Sequence, residues 1–160
     1  MSAERLYLLD ATAFCYRAFY AVRGLSTSYG QPTGAIYGFI NIINKILKEG
    51  HPGYMAVCFD VSRDTFRSHK FADYKIQRPK MPDELASQIP LIKEIVSGFG
   101  FSIVEQEGFE ADDIIASIFR KAVSSGLSVT IVSSDKDMLQ LVSEGISVLN
   151  PYKGSGFLYD

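Results

Sequence analysis

Three short stretches of the chain are almost continuously apolar: Leu6-Tyr7-Leu8-Leu9, Tyr54-Met55-Ala56-Val57-Cys58-Phe59 and Val129-Thr130-Ile131-Val132. A strand with one face in water alternates apolar and polar residues, so unbroken runs of this length predict strands buried on both faces, as in parallel sheets. Between them the period changes. Over 35–48, Ile36, Phe39, Ile40, Ile43 and Leu47 fall on one helical stripe; 82–99 is helical in the same way, and 110–123 carries Ile114, Ile115, Ile118 and Phe119 at helical spacing. Residues 101–104 and 146–149 predict two further short strands. Pro82-Asp83 reads as a helix start, and Ser133 or Ser134 as the start of another running from Asp135 to Val142. Strands alternating with helices predict an α/β fold, a three-layer sandwich with a mainly parallel central sheet and right-handed crossovers.

The polar residues at the strand ends carry the chemistry. Asp10 follows the first run, Asp60 the second, and Asp135 and Asp137 come just after the third. In open α/β sheets the ligand site lies beyond the carboxyl ends of the strands, so acids far apart in sequence are expected to meet in one crevice. Glu110, Asp112 and Asp113 join them if the helix they open starts at the same edge. Singly, each acid has a plain structural role: first-turn acids complement a helix dipole, Asp is a common turn residue, and Ser134 to Asp137 fits a capping box. Together they exceed those roles, with three acids within four positions, a D-x-D after a buried strand and two more acids at other strand ends. Carboxylates this close repel, and without a cation some must take up protons at neutral pH. Mg²⁺ or Mn²⁺ removes the conflict, because hard divalent cations prefer oxygen ligands. A structural zinc site is excluded: His51 and His69 are the only histidines, and neither has Cys or His partners at zinc spacing.

At 160 residues, 47% of them apolar, the whole of 1–160 reads as one globular domain. No apolar run is long enough to cross a bilayer and no signal-peptide pattern follows Met1, so no membrane partner is expected and the cytoplasm is the expected compartment. Cys15 and Cys58 sit in apolar stretches and read as buried thiols rather than a bridge. The net charge of −2 argues weakly against a polyanionic partner, but its distribution argues the other way. Between Arg63 and Lys80 six basic residues face two acidic ones, and setting the seven candidate acids aside leaves 11 acids against 16 bases. Lys75 and Arg78, three apart with Tyr74 alongside, would share a helical face able to hold a phosphodiester and stack a base. The Gly/Ser/Thr-rich stretch 23–34 reads as a loop. Neither a GxxxxGK[ST] loop nor a Ser/His/Asp or Cys/His nucleophile set is present, so water is the expected attacker.

Leu8-Leu9-Asp10, Tyr16-Arg17-Ala18-Phe19, Phe59-Asp60, Thr65-Phe66-Arg67, Asp73-Tyr74-Lys75 with Arg78-Pro79, Met81-Pro82, Gly108-Phe109-Glu110-Ala111-Asp112-Asp113 and Asp135-Lys136-Asp137 resemble, in this order, the 5′-nuclease domain of bacterial DNA polymerase I. That family is related to the flap endonucleases and has a PIN-like, resolvase-like fold. The resemblance implies a divalent-metal-dependent 5′ to 3′ exonuclease and flap endonuclease, a phosphodiesterase used in primer removal and repair. It implies a two-metal site in which Asp10, Asp60, Glu110 and Asp112 gather around one Mg²⁺ or Mn²⁺ and Asp135 and Asp137 serve the second, with Asp113 the least secure ligand. It also implies Lys75 and Arg78 on the scissile phosphate, with Arg17, Arg67, Lys70 and Tyr74 as DNA contacts. The implied partners are DNA with a 5′ flap or 5′ end, an RNA primer on DNA included, and an attached polymerase domain in a parent protein. Ala11 stands where the family often has Gly. The family continues beyond this region into another acidic pair and a helical DNA-binding motif, so the chain is expected to be a fragment or a short form with an incomplete second metal site. A PIN-type ribonuclease, and a non-catalytic module that binds branched DNA or a partner, share enough of the pattern to stay open.

Overall fold

A backbone buried on both faces can satisfy its amides only by pairing with neighbouring strands, and every apolar run lies in a sheet. The computed structural model describes residues 4–61, 70 and 79–153 and the backbone of 157–159. Within it, β1 (Arg5–Asp10), β2 (Tyr54–Cys58), β3 (Ser102–Val104), β4 (Ser128–Val132) and β5 (Ile146–Asn150) pair in parallel in the order β3-β2-β1-β4-β5. β6 (Phe157–Tyr159) adds antiparallel to the outside of β5. The chain builds outward from β1 to β2 and β3, then returns to lay β4 on the other side. The switch point therefore lies between β1 and β4, where crevices form in such sheets. The register sets Leu9 beside Val132, so Asp10 and Ser133, one step further on, emerge there together.

Helices cover both faces of the sheet. α1 (Ala11–Ala21), α2 (Gly34–Gly50), α3 (Asp83–Ala86) and α4 (Ile89–Gly98) share one core with Tyr7, Leu9, Met55, Val57 and Val132. α5 (Ala111–Ser124) and a 3₁₀ helix (Lys136–Leu141) share the other with Leu8, Ala56, Cys58, Val129, Ile131 and Val148. Odd and even positions of each strand thus feed opposite cores, as the period of two requires. The expected three-layer α/β sandwich is the fold, and both cysteines are buried free thiols.

Several elements differ from the sequence expectation. α1 was not anticipated, because it begins at the residue after β1 with no intervening turn. The buried stripe of α2 runs through Ala35, Phe39, Ile42, Ile43 and Ile46, which leaves Ile36, Ile40 and Leu47 at its partly buried margin. The stretch 82–99 is two helices, interrupted at Ser87 and Gln88. The segment after β4 forms a 3₁₀ helix rather than an α-helix, and its cap is Asp135, whose side chain accepts from the Asp137 amide at 2.9 Å. The loop at 23–34 is partly ordered by a Ser26–Pro32 bridge. Among the described residues no helix is long and apolar enough to cross a membrane.

Candidate active site

Asp10 ends β1 and is only 5% exposed. Alternation along β1 puts it on the Leu8 side of the sheet, the side covered by α5. Ser133, buried at the end of β4, donates its hydroxyl to Asp10 Oδ2 at 3.3 Å, and Ser133 Oγ in turn accepts from the Asp135 amide at 3.1 Å. Burial, together with the nearby charges of Asp112 and Asp60, pushes the Asp10 carboxyl up to about 7, against a smaller opposing pull from the Ala13 amide and the Ser133 hydroxyl. Cys58 next to it on the sheet has its thiol pushed up to about 12, by burial first and by the Asp10 charge second.

Asp60 lies just past β2, held in two directions. Its amide donates to Thr12 Oγ1 at 2.9 Å, which fastens the strand end to α1. Its carboxylate Oδ1 accepts from the Ala111 amide, the first residue of α5, at 2.6 Å. Gly108, at a φ of +83°, takes a left-handed conformation that favours glycine, and it turns the chain into that helix start. Glu110 is the N-cap and is buried, and its amide donates to Asp113 Oδ2 at 3.3 Å. Asp113 thereby acts as a helix cap, whereas Asp112 is turned toward Asp10 closely enough to act on its charge.

The crevice therefore joins acids from four separate regions of the chain. Asp10, Asp60 and Asp112 are coupled electrostatically; Glu110 and Asp113 sit on the same helix start; Asp135 is linked to Asp10 through Ser133, and Asp137 is linked only through the Asp135 cap. Asp60, Asp135 and Asp137 are exposed to solvent. Among the described residues, no three or more His, Cys, Asp or Glu side chains are placed to hold an ion by themselves. The donors are nonetheless all hard oxygens, and Mg²⁺ typically keeps several waters and takes only one or two carboxylates. Ser133 and Thr12 were not singled out from sequence as site residues. The signal was present, since each is a hydroxyl residue beside a strand-end acid. Arg17 and Lys70 are exposed. Arg67, Tyr74, Lys75 and Arg78, with the helical face expected for the last two, lie outside the described residues.

The family model described as 5′-3′ exonuclease, N-terminal resolvase-like domain, matches residues 5–159. The chain belongs to this 5′-3′ exonuclease family. A 5′-3′ exonuclease of Aquifex aeolicus (strain VF5) is 49% identical over 154 residues, covering 96% of this chain and 53% of that protein. DNA polymerase I of Mycobacterium tuberculosis (strain H37Rv) is 42% identical over 151 residues, covering 93% of this chain and 17% of the polymerase. The chain thus spans about half or less of the length of these relatives. Among solved structures, the T5 D15 protein co-crystallised with metal ions aligns with a TM-score of 0.65 at 20% identity, over 91% of this chain and 53% of that one. The catalytic core of Rad2 in complex with DNA aligns at 0.61 and 17% identity, over 99% of this chain and 47% of the other. At such identities the two structures support the fold. The exonuclease-family domain and its parallel sheet are in accord with the resemblance read from the motifs.

Proposed function

We propose that this exonuclease-family domain hydrolyses phosphodiesters near the 5′ end or 5′ flap of DNA with Mg²⁺ or Mn²⁺, and serves primer removal and repair in the cytoplasm. The observation that carries this reading is Asp10: a carboxylate at the sheet's switch point, buried and pressed by two further acids from other elements. A fold alone does not call for that arrangement, since a buried carboxylate facing like charges costs stability unless a cation offsets it. Asp10, Asp60 and Asp112 would hold the first ion, in part through its waters, with Glu110 beside them, and Asp135 and Asp137 the second. When bound, such ions supply an activated water and stabilise charge on the phosphate. The chain's own residues orient this set. Ser133 fixes the Asp10 carboxylate, and the Ala111 amide fixes Asp60. Lys75 and Arg78 would offset charge on the scissile phosphate. The T5 D15 flap endonuclease in complex with DNA and metal ions and the Rad2 catalytic core in complex with DNA support the same reading, as does the polymerase relative for an attached polymerase in a parent protein.

The test compares cleavage of a 5′-flap DNA with that of single-stranded RNA, in Mn²⁺ and in EDTA. Metal-dependent cutting of the flap is expected, with a loss on the order of 100-fold in Asp10→Asn and in Asp112→Asn. Preferential cutting of the RNA would move the assignment to a ribonuclease. Metal-independent binding with no cutting of either would make the domain a binding module.

A further inference from the structure

The chain that leads from β3 into α5 carries an aromatic residue to the mouth of the carboxylate crevice. Phe109 stands directly before Glu110, belongs to neither core and is 40% exposed. Its backbone is clamped. Three successive amides donate: Phe109 to the Gln106 carbonyl at 3.2 Å, Glu110 to Asp113 Oδ2 at 3.3 Å and Ala111 to Asp60 Oδ1 at 2.6 Å. On the other side of that last bond Val61 follows Asp60 and is exposed as well, at 47%. The acidic crevice thus has an apolar rim. Phe99, as exposed as Phe109, stacks on Phe101 at 5.7 Å, but among the described residues no ring packs on Phe109 and no cation lies over it. Single exposed rings are ordinary on protein surfaces. This one differs in standing on a backbone fixed at three successive amides, two of them by acids of the crevice.

Two residues of chain span at most about 7 Å, so Phe109 stands within that reach of Ala111, the residue bonded to Asp60. A nucleic-acid strand advances about 3.4 Å per nucleotide. A strand with one phosphate held at the carboxylates therefore passes Phe109 within one or two nucleotides. Beside so many acids a further anion is repelled, whereas a base is neutral and flat and suits a phenyl ring. Resting on the nuclease reading above, we propose that Phe109 is a stacking platform for one nucleobase of the strand being cut, next to the scissile phosphate. Every base has such a face, so the platform is indifferent to sequence. It discriminates by pairing instead. A base inside a duplex is already stacked, but an unpaired base at the cut regains on Phe109 part of what it lost on leaving the stack.

The 160-residue chain is given a 5′-flap DNA in which one nucleotide at a time, on either side of the cut, is made abasic, and binding and single-turnover cutting are measured in Mn²⁺. The wild type should lose roughly 10-fold in binding at one of these positions, the scale of one lost stack. Phe109→Ala should lose the same on the intact flap and nothing further on that abasic one, while the penalties at other positions are kept. Phe109→Trp, which keeps a flat ring, should match wild type. Phe109→Leu, which keeps apolar bulk alone, should behave as Phe109→Ala does. All three variants should show the wild-type rise in melting temperature with Mn²⁺, which separates a lost stack from a disturbed helix start. Binding decides the matter where cutting is slow. Wild-type binding by Phe109→Leu, an abasic penalty undiminished in Phe109→Ala, or a Mn²⁺-induced rise lost in that variant would each overturn the platform and leave the nuclease reading standing. A wild type that neither binds nor cuts the flap would overturn both.

Discussion

Asp10 shows how one residue couples stability to chemistry. Its carboxyl is pushed from 3.8 up to about 7 by burial and by Asp112 and Asp60. Between those values the folded protein keeps a proton that the unfolded chain releases, so the contribution of Asp10 to stability is most favourable below pH 4, falls as pH rises toward 7, and is flat above. The loss is on the order of 4 kcal/mol before relaxation and water penetration reduce it. Asp10→Asn removes the charge and retains an acceptor for Ser133. In EDTA at pH 8 it should therefore be more stable than wild type by about 2 kcal/mol, while at pH 4 the two should melt together. Urea melts of both proteins across this range check it; a variant less stable at pH 8 would show that the buried charge is already compensated. Legibility was mixed at this scale. The acids stood out because they follow apolar runs, but their partners Ser133 and Thr12 did not, since a hydroxyl beside a strand end is common and its bond becomes visible only when β1 and β4 are set side by side.

At the scale of the element, the interruption of 82–99 explains how α2 is started. Gln88, 1% exposed, accepts from the Ala35 and Ile36 amides through Oε1 at 2.8 and 3.2 Å, and its Nε2 donates to the Glu84 carbonyl at 2.9 Å. The Thr33 side chain at the N-cap of α2 makes no capping bond. A side chain more than fifty positions away thus does the work of a local cap. No window-based reading of helical period could see this, because the bond is long-range and the apolar spacing continues across the break. Gln88→Ala would leave two amides unsatisfied and should cost about 3 kcal/mol, lowering the melting temperature by roughly 6–12 °C. Gly34 offers a second check. A Cβ there would collide with the Val22 carbonyl oxygen at the end of α1, so Gly34→Ala must push the two helices apart. A loss of about 2 kcal/mol or more is expected in thermal melts, and a neutral result would mean that the α1 end can move freely. The missing prediction of α1 has the opposite cause: Ala11, Phe14, Cys15 and Ala18 do recur at helical spacing, but an apolar strand running straight into them hides where one period ends and the other begins.

For the whole molecule, the parallel sheet and the meeting of its acids were legible because topology alone carries strand ends to one edge. Where the ions would sit was not, because ligand geometry depends on sub-ångström placement that spacing cannot encode. The described side chains gather around the crevice without three of them closing on one point, so metal should act as the missing component of the fold's electrostatics. An ion that binds only the folded state stabilises it by about 2.7 kcal/mol at a hundred times its dissociation constant, or roughly 5–10 °C for a domain of this size. The same ion must displace the Asp10 proton, and with that carboxyl at about 7 the cost grows as pH falls. At pH 5.5 the apparent affinity should be roughly 30-fold weaker than at pH 8, which shrinks the stabilisation at the same metal concentration to about 1 kcal/mol. Thermal melts in Mn²⁺ and in EDTA at the two pH values therefore give four temperatures, and the metal-induced rise should be several-fold larger at pH 8. In Asp10→Asn the rise should be small at both. Equal rises at the two pH values in the wild type, or a full rise in Asp10→Asn, would place the ion away from Asp10 and detach the buried acid from the chemistry proposed for it.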